Sequence, residues 1–141
     1  MPLVRIDLAE GRGPGAARAI ADAIHEAIVS VFAIPVADRF QVLTERPGAS
    51  IIARDAGLGF ERILPVIIQI FTQRGRSDAT KQRLYAELAR RLGEVGVTGE
   101  DVFISYVENG PQDWSFGFGH AQYVTGELAV PGPASAARRP A

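Results

Sequence analysis

The chain has 141 residues, 47% of them hydrophobic, a formal net charge of −1 and no cysteine. That length and composition fit one ordinary globular domain, and the near-balanced charge argues against a nucleic-acid partner, which calls for a basic face. Disulfides, thiolate metal sites and a cysteine nucleophile are excluded.

The first element is the alternating run "PLVRIDL", predicted as a strand over 3–8, with Pro2 directly before it. Arg5 and Asp7 interrupt this start, so it does not read as a signal peptide, and a cytoplasmic location is expected. After a Gly-Arg pair ending at Arg12, Ile20, Ile24, Ile28 and Phe32 recur every fourth residue, predicting a helix with one apolar stripe and Pro14 near its start. His25 lies beside that stripe and reads as a helix-edge histidine. A polar loop carrying Asp38 leads to a second strand over 39–43.

Residues 44–64 contain "GLG", but neither a following Lys-Ser/Thr nor dinucleotide-loop spacing, and read as turn and short extended structure. The third strand, 65–72, places Val66, Ile68 and Ile70 on one face and Ile67, Gln69 and Phe71 on the other. Its apolar stretch, "ILPVIIQIF", is too short to cross a bilayer, so no membrane partner is expected. The strand runs into "QRGR". A second helix follows, with Leu84, Leu88, Leu92 and Val95 as its stripe and Ser77 or Asp78 as its N-cap. The fourth strand covers 102–107. Beyond it, "ENGPQDWSFGFGH" holds the only tryptophan, Trp114, with Phe116 and Phe118. Residues 131–141 are Pro/Ala-rich and expected to form a disordered tail, leaving 2–130 as a single domain.

Residues 2–43 and 65–107 read as two copies of one β-α-β unit, with Arg12 against Arg76, Asp38 against Asp101 and Pro2 against Pro65. Two such units predict an α/β (α+β) fold: a four-stranded, mainly parallel sheet with both helices on one face. The other sheet face, carrying Ile67 and Phe71, is then apolar and uncovered, which predicts an oligomer.

For chemistry, the chain lacks a serine-hydrolase elbow, and His25 and His120 have no metal-ligand spacing. No metal or other cofactor is therefore expected. Arg74 and Arg76 stand at i, i+2. If the extended backbone persists, both guanidiniums point to one side, an arrangement suited to a carboxylate. The first copy reads "EGR" where the second reads "RGR", so the additional arginine is at one end only. Trp114, Phe116 and Phe118 either wall a small dry pocket or pack between subunits. Pro65 is an interior amide, whereas Pro2 becomes a secondary amine if Met1 is removed.

An amino-terminal proline on a strand, a duplicated β-α-β unit and an arginine-bearing second copy resemble the tautomerase superfamily. Within it, "PLVRIDLAEGR", "PVADRFQ", "GLGF", "RGRS", "VENGPQDWSFGFG" and "TGEL" are similar to its malonate semialdehyde decarboxylase branch, over about residues 2–128. The "DWSFG" run is the most discriminating part. The resemblance implies a cofactor-independent homotrimer that decarboxylates a small 3-oxo carboxylate substrate, with hydratase or tautomerase side activity. It implies Pro2 as the catalytic amine, Arg74 and Arg76 on the substrate carboxylate, Asp38 orienting or activating, and Trp114 and Phe116 lining the apolar wall. The "FGH" after "SFG" departs from the pattern, where a further arginine is expected. Two alternatives stay open: a tautomerase or hydratase acting on another small oxo or unsaturated carboxylate, and a trimeric binding protein whose amine is vestigial.

Overall fold

The computed structural model describes residues 1–131, so the tail, apart from Pro131, lies outside the described residues. β1 (Leu3–Ala9), α1 (Ala16–Phe32) and β2 (Phe40–Arg46) form the first half; β3 (Val66–Gln73), α2 (Asp78–Glu94) and β4 (Val102–Asn109) form the second. A short α3 (Gln122–Thr125) follows the aromatic loop.

The strands make one mixed sheet in the order β2-β1-β3-β4. β1 runs parallel to β2 and β3 parallel to β4, while the central β1–β3 pair is antiparallel. The crossover helices explain the parallel pairs, because strands joined through a long helix return in the same direction. β2 extends beyond the expected 39–43, taking three residues from the linker. The rest of the linker carries one 3-10 turn, Gly48–Ser50.

β1 and β3 alternate in burial with a period of two. Val4, Ile6, Leu8, Val66, Ile68 and Ile70 are all at most 2% exposed, and they meet Ile20, Ile24 and Ile28 of α1 and Leu84, Leu88 and Leu92 of α2 in one core. Complete burial of each such side chain contributes about 1.5–3 kcal/mol. Both helical stripes thus cover the same sheet face, as the four-residue spacing predicts, except for Val95, which follows the end of α2 and is exposed. Ser77 caps α2, accepting a hydrogen bond from the Thr80 N–H at 3.2 Å.

Ala33 ends α1 in the left-handed region, at φ 53°, with its N–H bonded to the Val29 carbonyl. A non-glycine residue there costs on the order of 1 kcal/mol. The turn sends the chain into 34–38, where the Asp38 N–H donates to the Pro35 carbonyl at 3.0 Å. His25, buried in α1, bonds the Val36 carbonyl through Nε2 at 2.7 Å. Since a carbonyl only accepts, that nitrogen carries the proton. The helix-edge histidine therefore pins the loop that carries Asp38.

Leu3, Phe40, Val42, Ile67, Phe71, Phe103 and Val107 share the opposite sheet face by register. Phe40 is 47% and Phe103 44% exposed there. The apolar back of the sheet is left uncovered by the chain's own helices.

Candidate functional site

The strand registers define how the two halves correspond. Leu3 pairs with Phe40 as Ile67 pairs with Phe103, and Ala9 with Arg46 as Gln73 with Asn109. Asp38 therefore corresponds to Asp101, and Arg12 to Arg76, as the repeat suggests. The proline correspondence is corrected by one residue: Pro2 stands where Val66 does, and Pro65 takes the place of Met1. Sequence alignment matched the two prolines because they are alike, whereas the pairing pattern fixes the register by sheet face.

Pro2 is buried at the start of β1. One register step beyond Leu3↔Phe71 puts it across from Thr72. Next to it, the Met1 amino group donates to the Tyr123 hydroxyl at 2.9 Å and lies 3.9 Å from Asp38 Oδ2. The other Asp38 oxygen, Oδ1, is buried with no hydrogen-bond partner among the described residues. The chain start, Asp38 from the α1–β2 loop and Tyr123 from α3 therefore meet at one end of the sheet.

Arg76 reaches the same end. Its Nη1 donates to Thr72 Oγ1 at 3.2 Å and to the Gln73 carbonyl at 3.3 Å, and its guanidinium lies 3.8 Å over the Phe32 ring. Burial pushes the Tyr123 phenol upward; the nearby Asp38 carboxylate adds to the rise and Arg76 opposes it. Tyr123 thus feels both charges. Arg74 differs from Arg76. The extended backbone does not persist between them, because Gly75 adopts φ 118°, a left-handed region that favours glycine. Arg74 is exposed, its backbone N–H bonded to the Asn109 carbonyl, while Arg76 is half-buried. The expectation that the extended strand continues through Arg76 is corrected accordingly: β3 ends at Gln73.

The aromatic loop supplies an apolar wall. Trp114 stacks on Phe116 with centroids 5.4 Å apart, and Phe116 meets the Tyr123 ring edge-on at 4.9 Å. Gln122 holds this loop: its Oε1 accepts from the Phe116 N–H at 2.9 Å and its Nε2 donates to the Gly117 carbonyl at 3.0 Å. Phe118 does not join the wall; it is 99% exposed. His120 faces Glu127, with Nδ1 and Oε1 3.3 Å apart.

Buried polar atoms are nearly always paired, so unpaired ones mark places where structure has been given up for something else. Six buried side-chain polar atoms lack a partner among the described residues, and five of them belong to Asp38, Gln73, Tyr106, Asn109 and Trp114. All five lie on the elements that converge at the Pro2 end. Sequence reasoning did not single out Tyr123, Tyr106, Thr72 or Phe32. Tyr123 had no local signal, being one tyrosine in a short polar segment. Phe32 was hidden by its place in the helical stripe.

Two family models, both described as tautomerase enzyme, match the chain at residues 38–117 and 2–61. The chain is a member of the tautomerase family. This tautomerase is 41% identical to a probable tautomerase, YrdN, of Bacillus subtilis (strain 168), across 91% of this chain and 100% of the relative. Among solved structures, FG41 malonate semialdehyde decarboxylase inhibited by 3-bromopropiolate is 58% identical, with a TM-score of 0.87, covering 92% of this chain and 99% of that one. A second malonate semialdehyde decarboxylase, solved as a structural basis for decarboxylase and hydratase activities, is 33% identical with a TM-score of 0.83, covering 90% of this chain and 99% of that one. Fused 4-OT, solved as a symmetric trimer, shares the fold at 22% identity and a TM-score of 0.74, covering 88% and 98%. No helix among the described residues is long and apolar enough to cross a membrane.

Proposed function

We propose that this tautomerase decarboxylates malonate semialdehyde (3-oxopropanoate) to acetaldehyde and carbon dioxide, using Pro2 as a free amine after Met1 is removed. The observation that carries the reading is the convergence of the chain start with Asp38 and Arg76 beside an aromatic wall. The likeness to two malonate semialdehyde decarboxylases supports the choice of substrate.

In this reading Arg76 and Arg74 bind the substrate carboxylate. Uniform binding of that group does not raise turnover. The arginines contribute by holding the breaking carbon–carbon bond perpendicular to the carbonyl plane. Trp114 and Phe116 provide a dry surface that favours neutral carbon dioxide over the anion. Decarboxylation needs an electron sink at the carbonyl. A neutral Pro2 amine adds to the aldehyde and loses water to give an iminium. The bond to the carboxylate then breaks, its electron pair forms an enamine and carbon dioxide leaves; protonation at carbon and hydrolysis release acetaldehyde. A protonated Pro2 instead hydrogen-bonds the aldehyde oxygen as enolate charge develops. An α-amino group titrates near about 7.7–8.0. The arginines lower that value and Asp38 raises it. Asp38 holds a water or the substrate through its unpaired oxygen.

The uncovered sheet face with Phe40, Phe103 and Val107 supports a homotrimer, the assembly of the related fused 4-OT. A cytoplasmic location, action without a cofactor, and the absence of nucleic-acid and membrane partners belong to the same reading. The experiment is incubation with malonate semialdehyde, measuring acetaldehyde, with cyanoborohydride trapping and intact mass. Acetaldehyde release from protein lacking Met1 supports it. No acetaldehyde, alongside fast ketonisation of a phenyl enol acid, favours the second reading: a tautomerase or hydratase for another small carboxylate. The probable-tautomerase relative and the hydratase activity of the second decarboxylase support that alternative.

A further inference from the structure

Arg76 rests on a shelf of two aromatic rings. Its guanidinium covers the Phe32 face at 3.8 Å, and Tyr106 meets the same Phe32 ring edge-on, with centroids 6.3 Å apart at 85°. The Lys81 ammonium also lies 4.9 Å over the Tyr106 ring and is itself held by Glu108 at 2.7 Å. The Tyr106 ring is therefore held by two packed groups. Its hydroxyl is not: the oxygen is buried and has no hydrogen-bond partner among the described residues. Burial also pushes the phenol upward, opposed by the Arg76 charge and by a hydrogen-bonding approach of the Arg76 guanidinium, so the hydroxyl is neutral and already beside that group, short of a well-formed bond.

The bonds Arg76 does make are long and local. At 3.2 and 3.3 Å, Nη1 is spent on Thr72 and Gln73 of its own strand end. These bonds use Nη1 alone, so a carboxylate can be bound through the remaining N–H groups while one of them seeks a further acceptor. A buried phenol oxygen with unused lone pairs is such an acceptor. In the free protein that approach falls short of a full hydrogen bond, and closing it when the carboxylate arrives recovers the cost of a poorly satisfied buried oxygen.

We propose that Tyr106, seated on Phe32, is a positioning residue for Arg76: its hydroxyl oxygen accepts an Arg76 N–H when the guanidinium engages a carboxylate. The inference rests on the carboxylate role given to Arg76 above, but not on the reaction that follows. The Tyr106–Phe32 pair acts through Arg76 and does not touch the reacting atoms.

The test is calorimetric binding of malonate, a non-reacting three-carbon carboxylate, alongside KM and kcat for malonate semialdehyde. Tyr106→Phe keeps the ring and removes only the hydroxyl. We expect its malonate Kd and its KM to rise about tenfold, the size of one hydrogen bond to a charged group, with kcat changed less than about twofold. In an Arg76→Lys background, Tyr106→Phe should add nothing, since lysine lacks the fork that the hydroxyl serves. Phe32→Leu gives a second variant if Tyr106→Phe fails to fold, with the same direction and the same dependence on Arg76. Unchanged malonate affinity in both variants overturns the proposal. So does an effect that persists undiminished in the Arg76→Lys background, and so does a wild-type protein that binds no malonate. A wild type that binds malonate but releases no acetaldehyde overturns the decarboxylase reading and leaves this inference standing on the binding data.

Discussion

The two ends of the sheet carry corresponding residues in opposite conditions. At the Pro65 end, Asp101 is fully employed: Oδ1 accepts from the Ile63 and Leu64 N–H groups at 2.8 and 3.2 Å, and Oδ2 takes the Thr98 hydroxyl and lies 3.5 Å from Arg12. Arg12 also donates to the carbonyls of Leu64 and Gly96. The linker backbone has filled that end. At the Pro2 end, Asp38 keeps an unpaired oxygen, Arg76 leans on an aromatic face, and the chain start stands in the position that the linker occupies opposite. The same aspartate and arginine thus act as a structural clamp where the chain is continuous and stay available where it begins. The linker backbone fills one end, while the other end adds Arg74, where the first copy has Glu10, and the Trp114–Phe116–Tyr123 cluster.

The largest expected effect comes from making the open end resemble the closed one. Protein produced with Met1 retained has an amide at Pro2, as at Pro65, and should lose turnover by at least about a thousandfold. Trimming Met1 with an aminopeptidase should restore it, with intact mass reporting the change. Full activity with Met1 attached breaks the proposed role of Pro2.

The paired substitutions Asp101→Asn and Asp38→Asn sharpen the comparison next. Asp38→Asn should lower kcat about a hundredfold and leave the melting temperature unchanged or slightly raised, because it removes a buried charge that lacks a full partner set. Asp101→Asn should leave kcat within about twofold. It should cost about 3 kcal/mol, by stranding Arg12 beside a neutral side chain, which lowers Tm by about 10 °C. Calorimetry and steady-state kinetics on the two proteins check both. Equal losses of stability at the two positions contradict the division of labour.

Much of this contrast was legible in the sequence. The four-residue recurrence of Ile20, Ile24 and Ile28 and of Leu84, Leu88 and Leu92 placed both helices on one sheet face, and the Asp38–Asp101 and Arg12–Arg76 matches survived in the registers. What was not legible depends on backbone geometry between motifs. Spacing alone carried the extended strand through Arg74 and Arg76, and it took the φ of Gly75 to show that the backbone turns between them. The one-residue shift of Pro65 against Pro2 shows only in strand pairing. Tyr123 reaches the site through a fold-back of more than a hundred residues, with its hydroxyl on the Met1 amine, and no local pattern announces such a contact.

The smallest expected effect concerns that tyrosine. Its phenol is held above the ordinary tyrosine value, chiefly by burial and further by the Asp38 carboxylate. A raised value means the neutral form persists in the folded protein to higher pH, so Tyr123 stays protonated through the range where an α-amino group titrates, near about 7.7–8.0. A limb of the pH–rate profile in that range is then not the Tyr123 phenol, and the proposed Pro2 amine accounts for it. Tyr123→Phe should keep the limb and move its midpoint by less than about one pH unit. It should lower kcat/KM only about threefold, because a neutral hydroxyl supplies a dipole rather than a charge. A limb that disappears in this variant transfers the titration from the amine to the phenol. The open end would then be built around a tyrosine for which the closed end has no counterpart bond.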